Sequence, residues 1–132
     1  MQLEKKFETG KISPSSIQDY IAEAVENSSL PPASAARINI CADEIISNIL
    51  KYSGAGEVNV KIDFSDNRSS VSIAFADDGI PFNPLEDARK FDASTPLDQR
   101  GEGGMGVFIV RKMMKSVNYS RQDNLNIFRI CT

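Results

Sequence analysis

Hydrophobic residues at helical spacing mark one long helix in the first half of the chain. From Ala33 to Tyr52 the apolar positions recur every three or four residues, which predicts a helix with one buried face. The residues that form this stripe are Ile38, Cys41, Ala42, Ile45, Ile46 and Ile49. Ser53-Gly54-Ala55-Gly56 follows directly and predicts the end of the helix, because glycine is favoured just past a helix C-terminus.

Shorter patterns predict three more helices and one long loop. The first of these helices begins at Ser13-Pro14, an N-cap followed by proline at the first helical position. A short helix is expected from Leu85 to Arg89, and the run from Val107 to Met114 again has helical spacing. The segment from Phe91 to Arg100 is polar and has no period, so we interpret it as a lid loop.

Alternation of apolar and polar residues predicts five strands. The pattern is clearest where Val58, Val60, Ile62 and Phe64 alternate with polar residues, as in a half-buried strand. The predicted strands are Leu3 to Phe7, Val58 to Phe64, Val71 to Phe75, Val117 to Arg121 and Leu125 to Ile130. Because helices and antiparallel hairpins occur in separate runs, the expected class is α+β. The expected architecture is a two-layer sandwich, with helices on one face of a mixed, mainly antiparallel sheet.

Composition narrows the class of protein. With 132 residues, of which 41% are hydrophobic, the chain suits a single domain over residues 1–132. The net charge of −3 and the lack of a Lys or Arg cluster argue against binding to nucleic acid or an anionic membrane. No apolar run is long enough to span a bilayer, and the first ten residues lack a secretory signal, so we expect a cytosolic protein.

Two residue types limit the chemistry. There is no histidine, which excludes catalytic triads, His-ligated zinc and phosphohistidine chemistry within this chain. Cys41 and Cys131 are far apart in sequence, and Cys41 lies on the helical stripe, so both are interpreted as reduced structural residues. Catalysis would therefore depend on carboxylates or on a cofactor.

The first candidate motif is a carboxylate and an amide on the long helix. Glu44 and Asn48 are four residues apart, so they stack on one side of it, at the border of the apolar stripe. Such a pair is suited to activating a hydroxyl and to ligating Mg²⁺, which prefers oxygen ligands. The same spacing is also common on the solvated flank of an amphipathic helix.

The second candidate motif is Asp77-Asp78-Gly79, at the end of an apolar strand. A carboxylate at this position can accept a hydrogen bond from a ligand amine, and glycine allows a planar ring to approach the backbone. Taken alone, Asp-Gly equally indicates an ordinary turn.

The third candidate motif is Gly101-x-Gly103-x-x-Gly106, which matches the dinucleotide fingerprint GxGxxG. We reject a Rossmann interpretation because no buried strand precedes it. A helix does follow, and glycines at a helix N-terminus expose backbone amides that bind anions such as phosphate. A flexible hinge is the alternative. The P-loop pattern GxxxxGK[ST] is absent from the sequence, and Asp66, Asp77 and Asp78 lack EF-hand spacing.

The order of the three motifs resembles that of the GHKL (Bergerat-fold, histidine-kinase-like) ATPases. The resemblance covers the chain from about Ala33 to its end. Within that superfamily, the short length and the phrase Gly103-Gly104-Met105-Gly106-Val107-Phe108 look like the bacterial anti-sigma-factor serine/threonine kinases. Members of that family bind a sigma factor or phosphorylate an anti-anti-sigma partner, and the resemblance further implies ATP, Mg²⁺ and a homodimer.

The resemblance implies a role for each matching residue. Glu44 would be the general base for the partner's hydroxyl, and Asn48 would bind both the nucleotide and Mg²⁺. Asp77 would accept the adenine amine, and Gly79 would let the ring approach. Arg100 is the candidate for stabilising charge on the transferred phosphate. The remaining candidates for nucleotide contact are Lys51, Phe82, Gly103, Gly104, Met105 and Gly106.

The chain departs from the family pattern at three places. Pro81 replaces a glycine of the adenine motif, and Lys51 stands where histidine or arginine often follows the asparagine. Asp123-Asn124-Leu125-Asn126 replaces the Gly-Thr pair that often completes the adenine site.

Given the resemblance, a kinase is the leading hypothesis. The alternatives are a regulatory module that binds ATP without transferring phosphate, and an α+β domain in which the motifs coincide by chance.

Overall fold

The computed structural model of the protein describes residues 1–67, 69–89 and 104–132, without the side chains of residues 87–89, 104 and 105. Helices and strands lie close to the predicted positions. Their bounds are β1 (Gln2–Glu8), α1 (Pro14–Glu26), α2 (Pro32–Asn48), a π-helix (Ile49–Ser53), β2 (Glu57–Phe64), β3 (Val71–Asp77), α3 (Pro84–Arg89), α4 (Gly104–Met113), β4 (Ser116–Gln122) and β5 (Leu125–Cys131). The predicted lid, Phe91 to Arg100, lies outside the described residues.

The five described strands form one sheet in the order β1-β2-β3-β5-β4. Each strand is antiparallel to its neighbour, so the described sheet is antiparallel throughout rather than mixed. The expected α+β class is confirmed. The order places the last strand, β5, beside the central strand β3. Asp77 at the end of β3 is thereby paired with Asn126 of β5.

The core lies between one face of the sheet and the helices. On β2 and β3 every second residue is buried, as the alternation in the sequence predicts. Phe75 at the centre of the sheet is fully buried, and so are Ile21 of α1, Ile38 of α2 and Val110 of α4. Burying an aliphatic side chain contributes about 1.5–3 kcal/mol, so this face accounts for much of the stabilisation of the sandwich.

The long helix changes geometry in its last turn. The prediction of one α-helix as far as Tyr52 was wrong, because α2 ends at Asn48 and continues as a π-helix from Ile49 to Ser53. A π-turn closes its hydrogen bond five residues back, and it therefore accommodates one residue more than an α-turn. The Ser53 hydroxyl donates to the Ile49 carbonyl at 2.7 Å. Gly54 then ends the helix with a φ of 65°, a left-handed conformation that glycine adopts without strain.

Both cysteines are free thiols, as predicted. Cys41 is fully buried. Burial, and secondly the Glu44 carboxylate, raise the pKa of the Cys41 thiol to about 11, which makes it a poor nucleophile at neutral pH. Within the parts of the chain that the structure describes, no helix is long and apolar enough to cross a membrane.

Candidate functional site

Glu44 and Asn48 lie on the last two α-helical turns of α2. Glu44 is half-buried, whereas Asn48 is only 3% exposed. Asn48 therefore lies deeper than the core border where its helical spacing placed it. The solvated-flank alternative does not describe Asn48, because a solvated amide would keep most of its surface in water.

The Glu44 carboxylate is in close contact with the first turn of α4. A Cβ atom added to Gly106 would overlap the carboxylate, with the Glu44 Cδ atom 2.6 Å from it and the Oε2 atom nearer still. A side chain at this position would therefore displace the Glu44 carboxylate, so glycine is what allows the carboxylate to lie against the α4 backbone. The structure thus brings together two of the three sequence motifs, Glu44-x-x-x-Asn48 and the glycine turn.

The two neighbouring aspartates at the end of β3 have different environments. Asp77 is 3% exposed, and its Oδ1 atom accepts hydrogen bonds from the Gly79 amide and the Asn126 side chain, each at 3.0 Å. Asp78 is exposed, and its Oδ1 atom accepts from the amides of Gly56 and Glu57 at 2.8 and 2.9 Å. Asp78 therefore fixes the loop that follows the π-helix, and Asp77 is the aspartate that remains for a buried ligand contact.

Gly79 packs directly on the π-helix. A Cβ atom at Gly79 would lie 2.6 Å from both the Cβ and the Oγ atoms of Ser53, and closer still to the Ser53 carbonyl oxygen. That carbonyl accepts a hydrogen bond from the Ile80 amide at 2.9 Å. The π-turn after Asn48 and the loop after Asp77 are therefore held against each other, and the second motif, Asp77-Asp78-Gly79, joins the first.

We expect Gly79→Ala to destabilise the protein, because the added methyl group overlaps backbone atoms that have no room to move. Overpacking of this kind costs about 1–3 kcal/mol, measurable as a lower free energy of unfolding in urea. Gly10→Ala is the matched control, since a Cβ atom at Gly10 has nothing within 4 Å. A Gly79→Ala variant as stable as Gly10→Ala would contradict the close packing.

Asn126 of β5 connects the loop after Asp77 to the sheet. Its Nδ2 atom donates to Asp77 Oδ1 at 3.0 Å and to the Ile80 carbonyl at 2.8 Å. Its Oδ1 atom accepts from the Phe82 amide at 3.1 Å and from the Tyr119 hydroxyl at 2.6 Å. Burial is the main cause of a raised pKa at Tyr119, opposed by the nearby Arg121 guanidinium, so this hydroxyl stays protonated and donates at neutral pH.

Four further side chains lie in this region. Arg121 donates from its Nη1 atom to the Gly79 carbonyl at 2.9 Å. Phe82 stacks on Tyr52 of the π-helix, with ring centroids 5.1 Å apart and an angle of 23° between the rings. Such a pair stabilises the fold by about 0.5–1.5 kcal/mol in addition to the contribution from burying its apolar surface. Lys51, a predicted nucleotide contact, is exposed on the same π-helix.

Other predicted site residues lie outside the part of the chain that the structure describes. Arg100, Gly101 and Gly103 fall beyond the described residues, and nothing is described of the Met105 side chain. Gly104 is the first residue of α4, so the expected position of the glycine turn at a helix N-terminus is confirmed for Gly104 to Gly106.

Sequence reasoning missed the roles of Asn126, Tyr119, Arg121 and Tyr52. A signal for Asn126 exists, because it occupies the same alternating face of β5 as Phe128 and Ile130, where an apolar residue would be the norm. Polar residues on a buried face need partners. Those partners could not be identified locally, because Asp77 and Asn126 are 49 residues apart in sequence.

Two surface grooves among the described residues lie elsewhere. One, of about 540 Å³, is lined by residues of β1, β2 and β3 together with Asp78 and Leu125. The other, of about 460 Å³, lies between α1 and α2. Neither is lined by Glu44, Asn48 or Asp77, so neither groove is part of the candidate site.

Comparison with known proteins places the chain in a family. The family model of the histidine kinase-like ATPase domain matches residues 12–132. A curated relative, the serine/threonine-protein kinase BtrW of Bordetella bronchiseptica, is 28% identical over 91 residues. That match covers 67% of this chain and 63% of BtrW, so it spans less than two thirds of that protein's length.

Solved structures share the fold at low sequence identity. A chain of the SiaB–SiaC complex from Pseudomonas aeruginosa has a TM-score of 0.64 and 12% identity, covering 98% of this chain and 88% of that one. The blue-light activated histidine kinase EL346 of Erythrobacter litoralis has a TM-score of 0.52 and 17% identity. This second match covers 89% of this chain and 39% of EL346.

Proposed function

Since the chain belongs to the histidine kinase-like ATPase domain family, we propose that it is an Mg-ATP-dependent serine/threonine kinase of the anti-sigma-factor, partner-switching type. Its substrate is a small anti-anti-sigma-like protein, and a sigma factor is the second partner, which it sequesters. The similarity to the serine/threonine-protein kinase BtrW supports the reaction, and the likeness to a chain of the SiaB–SiaC complex supports the fold class.

The observation that carries this proposal is the contact between Glu44 and Gly106. It brings the half-buried Glu44 carboxylate against the first turn of α4, where backbone amides and the helix dipole favour a phosphate. A base beside a phosphate-binding turn is the arrangement that phosphoryl transfer to a hydroxyl requires. ATP binding alone would not require a carboxylate at that place.

The proposed transfer is an in-line displacement. The hydroxyl oxygen of the partner's serine or threonine forms a bond to the γ-phosphorus, and its proton passes to the Glu44 carboxylate. The bond from the γ-phosphorus to the β,γ-bridging oxygen breaks, and ADP leaves with the electron pair. The amides of Gly104 to Gly106 hold the phosphates, and Arg100 stabilises the charge that develops on the transferred group.

Asn48 fits a magnesium ligand. It carries a hard amide oxygen one helical turn from Glu44, and its burial limits competition from bulk water. Mg²⁺ is commonly held by one or two protein oxygens together with phosphates and water, so a single residue suffices at such a site. When bound, the ion would neutralise charge on the phosphates. Asn48 would hold and orient it.

The base of the nucleotide lies, in this proposal, against the loop after β3. Asp77 accepts the adenine amine. Ser53 of the π-helix occupies the space where a Gly79 side chain would lie, so Gly79 holds the loop close to the π-helix and the ring lies against the backbone of that loop. Ile80 in that loop is 64% exposed, so its apolar side chain is available to cover the ring. Phe82, fixed by its stacking on Tyr52, and Lys51 complete the nucleotide contacts.

The test combines nucleotide binding with phosphate transfer. Calorimetric titration of the purified chain with ATP is expected to show binding that strengthens when Mg²⁺ is added. Incubation with γ-labelled ATP and an anti-anti-sigma protein is expected to label a serine or threonine of that partner. ATP binding with an unlabelled partner in a stable complex would indicate the regulatory module instead. No binding at millimolar nucleotide would overturn both functions.

A further inference from the structure

The Asn126 side chain uses its full hydrogen-bonding capacity. A carboxamide has two N–H donors and an oxygen with two acceptor sites. At Asn126 the donors bind Asp77 and the Ile80 carbonyl, and the oxygen accepts from the Phe82 amide and the Tyr119 hydroxyl. The residue is 3% exposed, so these four bonds replace water that the group has lost.

Two of the four partners fix the orientation of the amide. The oxygen and nitrogen of an amide are interchangeable in shape, so its orientation has to be judged from its neighbours. The Phe82 backbone N–H is only a donor, and the Ile80 carbonyl is only an acceptor. A flipped amide would place its N–H group against the Phe82 N–H and its oxygen against the Ile80 carbonyl. Only the observed orientation pairs each donor with an acceptor.

This orientation determines what faces Asp77. Asn126 presents an N–H to Asp77 Oδ1, and the Gly79 amide presents a second. These two donors occupy Oδ1, so Oδ2 is the oxygen that is left to accept from a ligand amine. The orientation of the Asp77 carboxylate is thereby fixed by the Ile80 carbonyl and the Phe82 amide, three and five positions further along the chain, acting through Asn126 of β5.

We propose that Asn126 is a positioning residue that fixes Asp77 as a hydrogen-bond acceptor and so selects a 6-aminopurine nucleotide over a 6-oxopurine nucleotide. This inference rests on the proposed nucleotide site. Adenine offers an amine at position 6, whereas hypoxanthine offers a carbonyl there, so an obligate acceptor favours ADP over IDP. Asn126 acts on the base only through Asp77 and the loop from Gly79 to Phe82.

Asn126→Asp tests the polarity with almost no change in shape. It replaces the donating nitrogen by an oxygen, which then faces both Asp77 Oδ1 and the Ile80 carbonyl. When the new side chain takes up a proton at lower pH, it again donates to Asp77, and the original polarity returns. Among the described residues, Asp77 of β3 and Tyr119 of β4 bind Asn126 directly, and Arg121 of β4 and Glu86 of α3 are charged neighbours of Tyr119.

The measurement is the dissociation constant for ADP and for IDP across the pH range. The native chain is expected to prefer ADP by about 100-fold, with little change in ADP affinity between about pH 5.5 and 8. For Asn126→Asp we expect ADP to bind about tenfold more weakly near pH 8, with most of the loss recovered near pH 5.5. A folded variant with the native ADP preference at every pH would overturn the proposal.

A second variant covers the case in which Asn126→Asp does not fold. The hydroxyl of Asn126→Ser donates to either Asp77 or Ile80 but not to both, so the preference for ADP over IDP is expected to fall about tenfold. A folded Asn126→Ser chain with an undiminished preference would also overturn the proposal. Circular dichroism and thermal unfolding of each variant establish that the fold is intact.

The proposed function fails separately from this inference. If the native chain binds no nucleotide, the site itself is wrong and the inference falls with it. If ADP binds to the native chain and requires Asp77, yet the Asn126 variants keep the native ADP preference and pH profile, the site stands and only the role of Asn126 is wrong.

Discussion

Glu44→Gln is expected to abolish phosphate transfer to the protein partner while ATP still binds. Glutamine keeps the size of the side chain and its contact with Gly106, but it has no carboxylate to take the hydroxyl proton. General base catalysis contributes about 10²- to 10⁴-fold, so the rate of transfer should fall by that factor. The rate is measured with γ-labelled ATP, and ATP affinity is measured separately by calorimetry.

Asp43→Asn is the matched control for Glu44→Gln. Asp43 is the neighbouring carboxylate on α2 and is exposed, so the substitution removes the same charge from the same helix without touching Gly106. Its transfer rate should stay close to that of the native chain. If Glu44→Gln retains more than about a tenth of the native rate, the base is another group. If it loses ATP binding with an intact fold, Glu44 belongs to nucleotide binding instead.

The second large effect is expected for Asp77→Asn, which should weaken ADP binding on the order of 100-fold. This loss corresponds to the largest free energies that a hydrogen bond to a charged group contributes. The new amide oxygen can still accept from Gly79 and Asn126, so the loop keeps its structure. The new amino group takes the place of Oδ2 and meets the adenine amine, so that two donors face each other. Calorimetric titration with ADP measures the loss.

Asp78→Asn serves as the neighbouring control. Asp78 accepts from the amides of Gly56 and Glu57 through one oxygen, and an asparagine oxygen can do the same. ADP affinity should therefore remain within about twofold of that of the native chain, since surface changes of this kind have small effects. Equal losses in the Asp77 and Asp78 variants would mean that the adenine does not depend on Asp77 specifically.

Local patterns were sufficient to predict most of the fold. The alternation from Val58 to Phe64 and the apolar stripe from Ile38 to Ile49 correspond to one buried face each, and burial of that face is what secures a strand or helix in a folded chain. The hairpin turn at Asp123 and Asn124 was also predictable. Both residues have positive φ, which asparagine and aspartate tolerate best among non-glycine residues.

The site was predictable only where its residues are near each other in sequence. Glu44 and Asn48 share a helix face, and Asp77 and Gly79 share a turn, so their spacing carries information. The contacts of Gly106 with Glu44 and of Asn126 with Asp77 depend on how α4 packs on α2 and on how β5 pairs with β3. Neither contact leaves a local pattern, because each joins segments that are about 50 to 60 residues apart.

The deviation to a π-helix was not visible either. Ile49 continues the apolar stripe, so helical periodicity alone extends the α-helix through Tyr52. What favours the wider turn is the surrounding structure: Ser53 has to meet Gly79 and the Ile80 amide, which lie on a different element. Tertiary contacts of this kind override local helix preference.

Because of the π-turn, the number of residues between Asn48 and Ser53 matters for the candidate site. Asn48 and Ser53 are separated by one residue more than an α-helical turn would need, and the Ser53 carbonyl binds the Ile80 amide in the loop after Asp77. Deleting one residue between them would allow a regular helix, but Ser53 would rotate by about 100° away from Gly79. Protein engineers seeking to insert a tag or to shorten a loop should therefore leave positions 48–54 untouched. The Asp66–Asn67 turn, at the opposite end of β2, is the safer place for such changes.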